Sequence, residues 1–101
     1  MRNFRELEVW KDARKLVKEV YLLTKTLPDT EKYGLVSQIN RCVISIPANI
    51  VEGSAYELES HLILCNDLEL ISDVEASATI SRIQILQKKV ASLIKYNNSK
   101  Q

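Results

Sequence analysis

Residues that interrupt helices are scarce in this chain of 101 residues. Its prolines are Pro28 and Pro47, and its glycines are Gly34 and Gly53. A chain with so few turn residues forms few, long elements, and its many Leu, Ile, Lys and Glu residues favour helices over a many-stranded sheet. The length suits one modest core, so residues 1–101 are predicted to form a single domain.

Apolar residues recur at about 100° per residue, and this period predicts an all-α fold with four helices. In the first helix, Trp10 and Tyr21 are candidate core anchors. At the start of the last helix, Ser72 and Glu75 have the S-x-x-E pattern of a capping box. The predicted helices cover residues 5–27, 31–52, 55–69 and 73–96.

The second predicted helix contains Pro47, within the stretch "SIPANIVEGSA". Proline has no N–H and its ring crowds the carbonyl of Val43, so a helix kink is predicted at Pro47. A strip of polar residues runs along one edge of this helix. It forms either a solvated edge or a structural network of hydrogen bonds against another helix or subunit. The strip consists of Gln38, Arg41, Ser45, Asn49 and Glu52.

Charge is unevenly distributed along the chain, although the net charge is only +1. Residues 54–75 carry six acidic and no basic residues, whereas residues 76–101 carry five basic and no acidic residues. This charge pattern indicates that the two segments are antiparallel neighbours in the fold, attracted by their opposite charges. The small net charge gives no global field that would hold a polyanion.

Candidate catalytic and metal-binding residues are few. His61 is the only histidine and has no base or nucleophile at a catalytic spacing, so we interpret it as a surface or interface residue. Cys42 and Cys65 lie on apolar stripes outside any metal-ligand spacing, which is typical of small core residues. The acidic residues also lack a metal-loop spacing, and both glycines stand alone. We expect no enzyme, and no cofactor, metal or small-molecule substrate.

The amino-terminal stretch "MRNFRELEVW" is charged where a signal peptide is apolar. No apolar run approaches the length that crosses a membrane. These features predict a cytoplasmic protein with reduced thiols and no membrane partner.

A longer pattern covers residues 4–53 closely and residues 54–96 more loosely. It comprises "VW" at residues 9–10, "YGL" at residues 33–35, Gln38 with Arg41, and "SIPANIVEG" at residues 45–53. In these motifs the chain resembles the 23S rRNA intervening-sequence proteins, also called the S23 ribosomal protein family. Val51 stands where that family usually has alanine.

The resemblance implies an antiparallel up-down-up-down four-helix bundle that assembles as a homo-oligomer, often a pentameric ring. The biochemical role of the family is largely unassigned. We therefore expect a non-enzymatic oligomeric scaffold or interaction module whose main partner is itself. Apolar residues occupy a wide part of the circumference of the first two helices, which supports this expectation. The candidate interface residues are Val36, Ile44 and Ile85.

The alternative expectation is an accessory protein that binds RNA or DNA electrostatically, as the partner of a larger enzyme. Related proteins bind nucleic acid through a basic surface. The candidate phosphate contacts in this chain are Arg41, Arg82, Lys88, Lys89 and Lys95.

The chain departs from the family pattern after Gly53, where about half of the third helix is missing. Three outcomes are open. Gly53 and a Ser54–Glu57 capping box form a tight turn that leaves a shortened third helix; the second and third helices fuse into one rod; or the natural chain has a longer segment here. The capping signals favour the first outcome, whereas the family match favours the third, and we expect the first.

Overall fold

The computed structural model describes residues 4–49 and 52–99. In these ranges it contains four α-helices and no strand, which confirms the all-α prediction. None of the described helices combines the length and the apolarity that a membrane crossing requires. The helices are α1 (Phe4–Thr24), α2 (Ser37–Asn49), α3 (Glu52–Asp67) and α4 (Asp73–Ser99).

The end of α1 comes three residues earlier than predicted. The N–H of Thr26 donates to the carbonyl of Leu23 and that of Leu27 to the carbonyl of Thr24, so the hydrogen bonding tightens beyond Thr24. The Thr26 hydroxyl also donates to the Leu23 carbonyl, with an oxygen–oxygen distance of 2.7 Å. Leu27 nevertheless stays buried, and the following Pro28 has no N–H with which to continue the helix.

The prediction that the second helix begins at residue 31 is wrong. A 3₁₀ turn at Asp29–Glu31 and a π-helical turn at Lys32–Val36 come first, and α2 begins at Ser37. The N–H of Ser37 donates to the carbonyl of Gly34. Glycine is a poor helix former, so regular α-helical bonding is established only after Gly34.

The predicted junction between the second and third helices is also wrong. Because α3 already begins at Glu52, Gly53 and Ser54 lie in its first turn, and they neither close α2 nor cap α3. The fused rod is excluded as well, since Cys42 Sγ lies 3.3 Å from Glu57 Oε2. Fifteen residues along one continuous helix would span about 22 Å. The two helices therefore lie side by side.

The third helix ends at Asp67, two residues before the predicted end. Glu69 has a φ of 59°, in the left-handed region that helices use to stop. The N–H of Leu70 reaches back to the carbonyl of Cys65 at 2.9 Å, which satisfies one of the last carbonyl groups of α3.

The start of α4 confirms the predicted capping box. The N–H of Ser72 donates to Glu75 Oε1 at 3.0 Å, and the N–H of Glu75 donates to Ser72 Oγ at 3.1 Å. The carboxyl-terminal end extends three residues beyond the predicted residue 96, to Ser99. Asn97 contributes to this extension, because its amide donates to Glu6 Oε1 of α1 at 3.4 Å.

The core lies among the four helices, in which α2 packs on α1 and α3, and α4 packs on α3 and α1. Its largest fully buried side chains include Ile39, Leu58 and Ile83. The candidate anchors Trp10 and Tyr21 are half-buried, and Tyr21 packs against the core. The indole of Trp10 does not enter the core. It lies under the guanidinium of Arg14, with 4.6 Å between the ring centre and the central guanidinium carbon.

Candidate interaction surfaces

The predicted polar strip does not lie on one helix, because α2 ends at Asn49 and Glu52 begins α3, and the strip is only partly covered. Gln38 and Arg41 are exposed, whereas Ser45 is half-buried and donates its hydroxyl to the Cys42 carbonyl at 2.7 Å. The side chains of Asn49 and Glu52 lie outside the described residues, as does the side chain of Pro47. Helix α2 continues through Pro47, and the kink at this residue stays a prediction.

A cluster of three polar side chains lies between α2 and α3. The buried thiol of Cys42 donates to the exposed carboxylate of Glu57, and the half-buried His61 lies beside both. Burial, followed by the hydrogen bond to Glu57 and its negative charge, raises the pKa of Cys42 to about 11. The thiol therefore keeps its proton at neutral pH.

The five candidate phosphate contacts differ in their surroundings. Arg82 forms an ion pair with Glu19 of α1. Lys89 lies 2.5 Å from Asp12 Oδ2 and 3.6 Å from Glu8 Oε1. Two of the five cations are thus already paired with carboxylates of α1. The remaining three are exposed, namely Arg41, Lys88 and Lys95.

The candidate interface residues lie at different depths. Ile44 and Ile85 expose 49% and 52% of their surface, which is unusual for isoleucine, whereas Val36 is half-buried. Ile85 lies in an open groove between α1 and α4, next to the apolar side chains of Leu16 and Leu86.

Four of the nine exposed large apolar side chains of the described residues lie on α3 and the turn after it, and sequence reasoning missed this surface. Tyr56, Ile63, Leu64 and Leu68 expose 55%, 45%, 44% and 55% of their surface. The opposite side of α3 is apolar too and faces the core. Apolar residues therefore lie on both sides of α3, although the exposed Glu57, Ser60 and Asp67 lie among those of the outer side. The sequence contained this signal, because the apolar residues between 55 and 68 do not follow a single stripe. We call Tyr56, Ile63, Leu64 and Leu68 the α3 outer face.

The opposite corner of the fold is basic. Both α1 and α3 pack on α2 and α4, so they occupy diagonal positions. The solvent-facing side of α1 presents exposed cations together with Leu22, which is 56% exposed. We call Leu22 and these cations the α1 outer face. The cations are Lys11, Arg14, Lys15 and Lys18.

Four α-helices around a shared core, with extensive apolar surface on α3, define a small helical-bundle protein. The family model of the 23S rRNA-intervening sequence protein matches residues 5–56, and the chain belongs to this family. The matched region includes α1, α2 and the first residues of α3. No curated protein matches the chain.

Proposed function

We propose that the protein is a non-enzymatic homo-oligomeric scaffold or interaction module, assembled from up-down-up-down bundles. The exposed apolar residues of the α3 outer face carry this proposal. A monomer would leave them in water, whereas an interface that covers them gains about 25 cal/mol for each Å² of apolar surface.

The helix pairings support the up-down-up-down arrangement. Asn97 near the end of α4 contacts Glu6 near the start of α1, and Arg82 pairs with Glu19 further along, so α1 and α4 run in opposite directions. Gln84 of α4 contacts Glu59 of α3 at 3.0 Å, and only five residues join these two packed helices, so they also run in opposite directions.

The same pairings support a shortened third helix. From the contact between Gln84 and Glu59, the amino-terminal end of α3 lies level with about residue 91 of α4 if both helices have the same rise. The last two turns of α4 therefore extend beyond α3, where they contact α1 through Asn97.

The diagonal placement of the two outer faces points to head-to-tail association. Residues 52–67 contain four acidic and no basic residues, whereas the α1 outer face is basic. A contact between the α3 outer face of one copy and the α1 outer face of the next combines apolar burial with opposite charge. Such a heterologous contact forms a ring when its rotation closes, and a pentamer is the ring size that the family resemblance implies.

Sedimentation velocity at micromolar concentration tests this assembly. We expect the wild-type protein to sediment as a closed oligomer and Ile63→Lys to sediment as a monomer with unchanged helical content. Val74→Lys is the control, because Val74 is 79% exposed at the start of α4 and belongs to neither outer face. A monomeric wild-type protein would contradict the proposal.

A second substitution tests the charge contribution. Lys18→Glu places a negative charge against the acidic α3 of the neighbouring copy, so we expect weaker association, whereas Lys18→Arg keeps the charge and the oligomer. Association that is insensitive to both substitutions and to salt would exclude the α1 outer face from the interface.

The alternative function is electrostatic binding of RNA or DNA, and the family name supports an RNA-related role. A groove between α1 and α4 favours it, because Arg5, Lys88 and Lys89 line that groove together with Glu8. The pairing of Lys89 with Asp12 reduces the charge available to a phosphate.

Retention on RNA and on duplex DNA tests this alternative. Binding at low salt should weaken steeply as salt is added, and Lys88→Gln should weaken it further. Arg82→Gln is the matched control, since Arg82 is already paired with Glu19. No retention at low salt would remove this function.

A further inference from the structure

Three side chains of metal-ligating type converge between α2 and α3. One ligand atom each of Cys42, Glu57 and His61 lies within 4.8 Å of the other two. Cys42 Sγ and Glu57 Oε2 lie 3.3 Å apart.

The fold brings these residues together in two steps. Glu57 and His61 are four residues apart on α3, so they lie on the same face, one turn above the other. Because α2 packs beside α3, Cys42 faces that pair from the neighbouring helix. The ligand set is therefore divided between two helices and exists only when both are packed.

Burial changes across the cluster from the core to the solvent. Cys42 is buried, His61 is half-buried and Glu57 is exposed. The thiol side is dry and fixed by packing, while the carboxylate side is open to solvent. An ion can enter from that side and keep one coordination position for water.

We propose that Cys42, Glu57 and His61 form a binding site for Zn²⁺, with a water molecule as the fourth ligand. Cysteine, histidine and carboxylate are the three protein ligand types of zinc. Tetrahedral bonds of about 2.0–2.3 Å place neighbouring ligand atoms about 3.3–3.7 Å apart. For a sulfur and an oxygen ligand that separation is about 3.5–3.7 Å, so the Cys42 and Glu57 atoms, now 3.3 Å apart, need to separate by only about 0.2–0.4 Å. Mg²⁺ and Ca²⁺ prefer oxygen ligands and do not suit a site with a thiol and an imidazole.

Binding exchanges a proton for a metal ion and involves no oxidation. The hydrogen bond from the Cys42 thiol to Glu57 breaks, and the thiol proton leaves to solvent. Bonds from Zn²⁺ to the thiolate sulfur, an imidazole nitrogen and a carboxylate oxygen form in its place. The ion then links α2 to α3 across the groove.

Calorimetric titration of the untagged chain with Zn²⁺ tests the site, with Co²⁺ as a spectroscopic probe. We expect one ion bound per chain, proton release on binding, a higher melting temperature, and a thiolate-to-cobalt charge-transfer band with visible bands of tetrahedral intensity. Mg²⁺ and Ca²⁺ should bind at least a hundredfold more weakly.

Matched variants separate ligation from folding. His61→Gln and Cys42→Ala should each weaken Zn²⁺ binding at least tenfold, and Cys42→Ala should abolish the charge-transfer band. Cys65→Ala and Glu59→Gln are the controls, because Cys65 is the other buried thiol and Glu59 faces α4. His61→Gln keeps the test valid if Cys42→Ala does not fold.

Equal affinity of wild type and His61→Gln would overturn the proposal, as would the absence of Zn²⁺ binding at micromolar concentration. These outcomes do not depend on the oligomeric state, which the Ile63→Lys monomer checks separately. That variant should bind Zn²⁺ with the wild-type affinity.

Discussion

Lys89 of α4 donates a hydrogen bond to Asp12 of α1, with 2.5 Å between Nζ and Oδ2. This contact joins the first and the last helix across 77 residues of sequence. Asp12 is the main reason that the pKa of Lys89 is raised. Both side chains are about one-third exposed, at 39% and 30%, so solvent screens much of their attraction.

The pair should contribute modestly to stability. We expect Lys89→Ala and Asp12→Asn each to lower the free energy of unfolding by about 0.5–1 kcal/mol at low salt. A double-mutant cycle from urea denaturation measures the coupling, which should decrease as salt is added. Lys88→Ala, one position away and exposed, is the control. A coupling energy near zero at low salt would show that the contact does not stabilise the protein.

The capping box at the start of α4 gives a second prediction. Ser72 Oγ accepts a hydrogen bond from the N–H of Glu75, and Ser72→Ala leaves that N–H unpaired. The expected loss is about 1 kcal/mol of unfolding free energy. Ser81→Ala, at an exposed position inside α4, should be neutral or slightly stabilising because alanine is the better helix former. Equal effects of the two substitutions in thermal denaturation would contradict a role in capping.

The stability of the folded protein should decrease at alkaline pH because of Cys65. Burial, followed by the negative charge of Glu31, raises the pKa of this thiol above its ordinary value of 9.0. The folded protein therefore holds the proton in a range where the unfolded chain has lost it. Its contribution to stability is complete below pH 9.0 and decreases as the pH rises above that value.

Comparison with Cys65→Ala isolates this contribution. Contributions from other titratable groups remain in both proteins and cancel in the difference between their curves. The unfolding free energy of the wild type should fall more steeply than that of the variant between pH 8.5 and 10.5, measured by urea denaturation with a reducing agent. Parallel curves would show that the Cys65 thiol titrates normally in the folded protein.

The sequence predicted the helical fold and the family because both depend on local patterns. Helical periodicity identified four helices, and the capping box at Ser72–Glu75 was placed correctly. The same S-x-x-E pattern at Ser54–Glu57 misled the prediction. There Glu57 instead accepts a hydrogen bond from Cys42 of the neighbouring helix. The Ser72 box follows a true helix end, at which Glu69 adopts a positive φ.

Features that depend on how helices rotate against each other could not be predicted. The Cys42–Glu57–His61 cluster forms because one face of α3 meets one face of α2, and spacing along either helix does not contain that information. Cys42 alone on an apolar stripe is typical of a core residue, and its burial agrees with that interpretation. Its polar neighbours become visible only in three dimensions.

Two isoleucines of α4 that lie two positions apart differ in burial and should respond differently to truncation. Ile83 is fully buried, whereas Ile85 is 52% exposed in the groove beside α1. Ile83→Ala removes methyl groups from a packed core and leaves a cavity, so it should cost about 2–5 kcal/mol of unfolding free energy.

Ile85→Ala should cost under about 1 kcal/mol in the monomeric Ile63→Lys background, because its side chain is already half in water. In the wild-type protein, the same substitution should reduce oligomer stability further, because Ile85 is a candidate interface residue. Urea denaturation at two protein concentrations separates these effects, because only the interface contribution varies with concentration. An Ile85→Ala cost that is the same in both backgrounds and at both concentrations would place Ile85 outside any interface.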